Sequence, residues 1–141
     1  MEPKKILNEK IMVLEQAVSS FEKTLSLDST KFQSIVSDAI DNGKIQKFEY
    51  CTELLWKVVK RYLFVVHGTD SKSPKQTVKE LYLTGEISED IYEKFLDILD
   101  TRNQLSHIYK EEFFKDILNK LPDFLKTMKR IISCLRSSYG S

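Results

Sequence analysis

Arginine, asparagine, histidine and tyrosine fall together in the stretch Arg102-Asn103-Gln104-Leu105-Ser106-His107-Ile108-Tyr109. A guanidinium is a planar anion receptor and an imidazole can take up or release a proton near neutral pH, so such a set can hold an anion and move a proton beside it. If one helix runs through His107, Asn103 and His107 are four positions apart and share a face. Arg102 then sits about 140° around the helix from His107 and roughly 7.5 Å along it, a separation a long side chain covers only when packing or a partner chain turns it inward. Tyr109 points away in an unbroken helix and stands beside His107 only where the chain has left the helix. Capping and helix-dipole chemistry also place Asp100, Arg102, Asn103 and a following histidine at a helix end, so spacing leaves both readings open.

The elements that position this stretch read as helices. Residues 1–27 carry Pro3 in a first turn and Leu7, Ile11, Leu14, Val18, Phe21 and Leu25 at alternating spacings of three and four, one apolar stripe of a helix. Residues 28–42 are less regular: Thr30 and Gln33 suggest a capping box for a short amphipathic helix, ended by Asp41-Asn42-Gly43. That segment is expected to be a packed connection rather than a bundle member. Residues 44–67 form the most apolar helix, with hydrophobic side chains on more than one face, as suits a helix that is central or shared with another subunit. Along it Glu49, Glu53 and Lys57 are spaced by four, and Trp56 reads as a core or interface residue.

Ser73-Pro74-Lys75-Gln76 is a helix start with an N-cap serine, a first-turn proline and a reciprocating glutamine. The short helix it opens ends at Gly85, and Ser88 caps the next, whose inward stripe is Ile91, Phe95, Ile98, Leu99 and Leu105. Asp100, Arg102 and Asn103 are expected to continue that core-facing seam, where polar groups must be paired or must line a cleft. Residues 111–139 close the fold; Pro122 is expected to kink or divide this helix, and residues 136–141 to fray. Four major helices with short helical connections predict an all-α, antiparallel four-helix up-and-down bundle, and residues 1–141 read as a single helical domain.

Composition narrows the function classes. An apolar fraction of 41% with 30% charged residues belongs to an ordered globule, and 22 basic against 21 acidic residues give a net charge of +1. No general pull toward nucleic acid or membrane follows, so any RNA contact must be local. Near-neutral charge also protects poorly against self-association. Cys51 and Cys134 show no metal-ligand spacing, and His67, between Val66 and Gly68, reads as a helix-end or loop residue, so no metal and no cofactor is expected. No apolar run is long enough to span a bilayer and the N-terminal residues carry no secretory pattern, so no membrane contact and a cytoplasmic location are expected. With 4 glycines and no GxxxxGK stretch, the chain does not read as a nucleotide-hydrolysing or nucleotidyl-transferring enzyme.

Two motifs carry a resemblance. Gln46-Lys47-Phe48-Glu49-Tyr50-Cys51-Thr52-Glu53-Leu54-Leu55-Trp56-Lys57 looks like the second-helix signature, and Arg102-Asn103 with His107-Ile108-Tyr109 like the arginine–histidine–tyrosine motif, of the HEPN superfamily. Within it the chain resembles the nucleotidyltransferase substrate-binding branch, helical companions of minimal nucleotidyltransferases in two-gene pairs. The resemblance implies a homodimer in which the arginines and histidines of both copies face one cleft, with Glu49, Glu53 and Trp56 at a partner or dimer surface. It also implies a toxin of a toxin–antitoxin pair, a metal-independent endoribonuclease acting on RNA. There His107 would serve as general acid or base, Arg102 would hold the phosphate, Asn103 would orient, and Tyr109 would accept a nucleotidyl group from the neutralising partner. The alternative it implies is a non-catalytic subunit that presents a substrate to the minimal nucleotidyltransferase.

Overall fold

The stripe from Leu7 to Phe21 forms the buried face of helix α1 (Pro3–Leu25) in the computed structural model, which describes residues 2–107 and 110–139. The helices that follow are α2 (Ser34–His67), α3 (Pro74–Leu83), α4 (Glu89–Leu105) and α5 (Glu111–Tyr139), with a single 3-10 turn at Ser29–Lys31. Every regular element among the described residues is helical, as the apolar periodicity requires. Pairings between helices give their directions. Phe21 packs on Phe48 while Lys44 Nζ donates to the Leu27 carbonyl oxygen at 2.8 Å, so α1 and α2 run oppositely. Lys129 meets Glu22 at 2.5 Å and Arg136 meets Glu15 at 2.7 Å, so α1 and α5 are also opposed. Phe48 stacks on Phe124 with ring centroids 5.4 Å apart, tying α2 to α5 in one apolar cluster to which all five helices contribute.

Three boundaries depart from the sequence reading. The first concerns residues 28–42. Thr30 and Gln33 do not form a capping box: Thr30 lies in the 3-10 turn with its backbone N–H bonded to the Asp28 carboxylate at 3.0 Å, and Gln33 caps α2 without a side-chain bond. The second is Asp41-Asn42-Gly43, which does not end a helix. Positive φ occurs at Gly68 and Gly85 but not at Gly43, so α2 runs through it and reaches 34 residues. Extending a formed helix adds one hydrogen bond per residue fixed, whereas stopping and restarting requires a new nucleus. Residues 34–42 of the supposed connection are therefore the first part of α2, and the segment is mostly exposed, including Phe32, Ile35 and Val36.

The third is Pro122, which lies inside α5 without dividing it. Its exposed position costs one backbone hydrogen bond, while Ile117, Leu121, Phe124 and Met128 on the same helix are buried. Nor does Arg136 fray, since its guanidinium is tied to Glu15 and Asn8 of α1.

The predicted caps hold at α3 and α4. Ser73 Oγ accepts from Gln76 N–H at 3.3 Å, and the Gln76 side chain reciprocates on the Lys72 N–H at 2.8 Å, one residue before the cap. Ser88 Oγ accepts from Ile91 N–H at 3.2 Å. At the other end of α2, Gly68 (φ 68°) turns left-handed and Thr69 N–H reaches the Leu63 carbonyl oxygen at 3.0 Å, a closure that glycine permits without strain. His67 is the last residue of α2, a helix-end position as expected, and there it also pairs with Glu86, which accepts from the Tyr62 hydroxyl. Burial alone would push the Glu86 carboxyl up, but hydrogen bonds from Ser138, Tyr62, His67 and Thr84 together hold it below the usual carboxylate range. The same burial, reinforced by Glu86, drives the Tyr62 phenol well up.

Substitution by alanine should act oppositely at two glycines of α2 and its cap. At Gly43 an added Cβ meets nothing within 4 Å, so Gly43→Ala should stabilise by about 0.5–1 kcal/mol in urea unfolding. Gly68→Ala, at φ 68°, should destabilise by about 1 kcal/mol in the same measurement. Because the folded Glu86 carboxyl is depressed, its contribution is complete above the ordinary carboxylate value and is lost as pH falls through the folded one. Acid unfolding of Glu86→Gln should therefore show a shallower loss of stability below about pH 5 than the parent chain; parallel curves would contradict this.

Candidate functional site

At the α4 end of the molecule the core stripe continues from Ile98 to Thr101 and Leu105, all buried. The residues expected to share that seam divide around it. Asp100 faces away and pairs with Lys75 of α3 at 3.1 Å, and Asn103 is exposed. Arg102, one helical turn beyond Ile98, sits at the margin of the stripe and is half-buried. A guanidinium there needs a partner, and α2 supplies one: Glu53 Oε2 lies 3.8 Å from Arg102 Nη2. Glu53 also pairs with Lys57 at 3.2 Å, so one carboxylate stands between two cations. The Arg102 Nε is buried and has no hydrogen-bond partner among the described residues.

These groups line a cleft of about 360 Å³ between α2 and α4, closed at one side by the start of α3. Thr52, Glu53 and Trp56 form the α2 wall, Leu99, Arg102 and Asn103 the α4 wall, and Ser73 to Lys75 the remaining edge. The volume is at the lower end of those that hold small ligands or a nucleotide-sized group. The N-terminal end of α3, whose Gln76 and Thr77 N–H groups are taken by Ser73, turns its positive dipole end to the cleft, and Lys75 and Arg102 add charge of the same sign. The cleft is therefore suited to an anion.

The structure brings together Arg102, Asn103, Glu53 and Trp56. His107 is placed elsewhere: α4 ends at Leu105, Ser106 closes the helix, and the His107 N–H turns back to the Gln104 carbonyl oxygen at 3.0 Å. The shared helical face expected for Asn103 and His107 is thus absent, because the helix stops two residues before His107. His107 is exposed and does not line the cleft. Glu49 is half-buried on α2, a turn before Glu53. Tyr109 lies outside the described residues.

Sequence reasoning missed the Glu53–Arg102 pair and the buried hydroxyl of Thr52, which has no hydrogen-bond partner among the described residues. The signal for both was the second-helix motif, in which Thr52 and Glu53 are neighbours, but spacing along one helix does not say what a second helix brings to it. Cys51, on the same helix, is an unpromising nucleophile: burial pushes its thiol up to about 11. Among the described residues no group of three or more His, Cys, Asp or Glu side chains is arranged to hold a metal, and no helix is long and apolar enough to cross a membrane.

Fold and cleft together define an all-helical protein with a half-buried arginine near the end of a core helix. Residues 9–137 match the family described as nucleotidyltransferase substrate binding protein like. A Haemophilus influenzae protein named probable ribonuclease HepT is 32% identical over 133 residues, covering 88% of this chain and 90% of its own. A crystal structure from Thermus thermophilus aligns with a TM-score of 0.76 at 27% identity, over 87% of this chain and 98% of that one. A mutant of the toxin–antitoxin MntA-HpeT aligns with a TM-score of 0.74 over 94% and 98% of the two chains; at 16% identity the likeness is one of fold. The chain belongs to the nucleotidyltransferase substrate-binding family of the HEPN superfamily.

Removing the unpartnered hydroxyl should not harm the fold. Thr52→Val is expected to leave thermal stability unchanged or raise it by up to about 1 kcal/mol, since a buried hydroxyl without a partner forfeits its hydration. A loss larger than that would mean the hydroxyl has a hydrogen-bond partner in solution.

Proposed function

We propose that this chain is the HEPN-type toxin of a two-gene pair, a metal-independent endoribonuclease neutralised by nucleotidyl transfer from a minimal nucleotidyltransferase. The observation that carries the reading is the anion-receptive cleft built by Arg102 and Asn103 against the start of α3, in a chain 32% identical to a probable ribonuclease. RNA cleavage of this kind needs no metal. The 2′-hydroxyl attacks the adjacent phosphorus, the bond from phosphorus to the 5′-oxygen breaks, and the products are a 2′,3′-cyclic phosphate and a 5′-hydroxyl. One proton must leave the 2′-hydroxyl and one must reach the departing oxygen, work suited to the imidazole of His107. Arg102 holds the scissile phosphate and the charge that develops on it, exchanging Glu53 for the phosphate oxygens, and Asn103 orients the group.

One copy does not place His107 in the Arg102 cleft. A homodimer with Glu49, Glu53 and Trp56 at its partner-facing surface would give each cleft the imidazole that its own copy does not supply. Tyr109, two residues after His107, is the proposed acceptor of the nucleotidyl group, whose added negative charge and bulk would close the site. A second reading is favoured by the existing Glu53–Arg102 pair at 3.8 Å: a non-catalytic dimer that uses Arg102 as an anion contact while presenting a substrate to the nucleotidyltransferase.

The purified chain should cleave RNA in excess EDTA to cyclic phosphate ends. Arg102→Ala and His107→Ala should each lower the rate by at least about 100-fold while keeping the helical spectrum and melting behaviour of the parent. Tyr109→Phe should stay active in the presence of the partner and its nucleotide. A dimer with unmodified Tyr109 that binds the partner yet leaves RNA intact would establish the presenting subunit instead.

A further inference from the structure

Beside the arginine cleft, on the other side of Trp56, lies a larger groove of about 560 Å³. Its cations are Lys10 of α1 and Lys57, Lys60 and Arg61 of α2, and its aromatic surface comes from Trp56 and the exposed Phe64. Asp70 is the acid among its lining residues, and that carboxylate is already drawn to Lys72 at 2.6 Å as well as to Lys60 at 3.5 Å. Lys10 and Arg61 engage no hydrogen bond or ion pair among the described residues. A chain with a net charge of +1 thus concentrates four cations on one groove.

The α2 dipole does not account for them, because it acts within the last turn and Lys57 lies ten residues before His67. A second copy of the chain is a poor occupant, since a two-fold interface sets a patch against itself and would oppose like charges. Cations flanking exposed aromatic faces suit a single-stranded nucleic acid, whose phosphates meet the cations while its bases stack. Trp56 borders both clefts, and Glu53 stands between Lys57 of the groove and Arg102 of the cleft. The two are therefore adjacent.

We propose that the Lys10–Lys57–Lys60–Arg61 groove with Phe64 binds the single-stranded RNA segment that flanks the scissile phosphate and leads it to the rim of the proposed dimer surface at Trp56, beyond which lies Arg102. The inference rests on the ribonuclease reading, but strand binding and cleavage are measured separately. The probe is a fluorescent 2′-O-methyl oligoribonucleotide of about ten nucleotides, a length within the range of such sites, which binds without being cleaved.

Lys10→Gln combined with Arg61→Gln should weaken its binding about tenfold or more. It should also reduce the slope of log affinity against log salt by about 1.4, roughly 0.7 for each lost phosphate contact. Phe64→Ala should weaken binding about fivefold or more, consistent with stacking, and leave the salt slope unchanged. Affinity and slope that survive the double substitution overturn the groove, even if the chain cleaves RNA. Strand binding that depends on the groove in a chain that cleaves nothing sustains it while ending the ribonuclease reading. A mononucleotide that competes as well as the strand overturns the extended site. A change of oligomeric state or of nucleotidyltransferase binding, at unaltered RNA affinity, assigns the face to a protein and overturns the proposal.

Discussion

A guanidinium at the edge of an apolar helix face cannot be left among hydrocarbon neighbours, and this constraint organises the site. Arg102 falls where the buried stripe of α4 meets its exposed side, and Glu53 of α2 approaches it at 3.8 Å. Full burial would demand complete pairing, and full exposure would leave the charge dispersed in water. The intermediate position keeps a charge that is partly desolvated and only loosely held. A half-exposed pair at that separation contributes little to stability, so an incoming anion can replace the carboxylate without a large penalty to the fold. The buried Nε, without a hydrogen-bond partner among the described residues, strengthens the point, because one donor of the fork remains to be satisfied.

The remaining helices make that position repeatable. Phe21, Phe48 and Phe124 link α1, α2 and α5 in one run of ring contacts, which fixes the α2 position against which α4 packs. The α3 helix is held by its Ser73 cap and by the buried contact of Ser71 Oγ with Thr77 Oγ1 at 2.6 Å, so its start is a firm edge of the cleft. At the far end of α2, the bonds from Tyr62 and His67 to Glu86 hold the approach to α4. The polar cluster there secures the beginning of α4, and Arg102 is presented near its end.

Most of the helices were legible because their apolar residues recur every three or four positions, and the serine caps were legible because their chemistry is local. Gly43 misled for the same local reason. An Asp-Asn-Gly run can end a helix, but only backbone conformation decides it, and α2 carries the glycine through without a positive φ. Thr30 has the chemistry of a cap, yet its own N–H is already held by Asp28. Arg102 and Asn103 could be singled out from residue type, but the Glu53 contact joins positions 53 and 102 on separate helices. No spacing within either helix encodes that approach, and only the crossing of α2 and α4 reveals it.

The end of α4 makes the strongest argument for a site completed by association. Had the helix continued through His107, Asn103 and His107 would share a face and one copy could offer amide and imidazole together. Instead Ser106 closes the helix at φ −77°, ψ −14°, and His107 stands exposed beyond it while Arg102 faces the cleft. In the proposed homodimer, symmetry would offer each cleft the exposed imidazole of the other copy, which a cleft within one copy lacks.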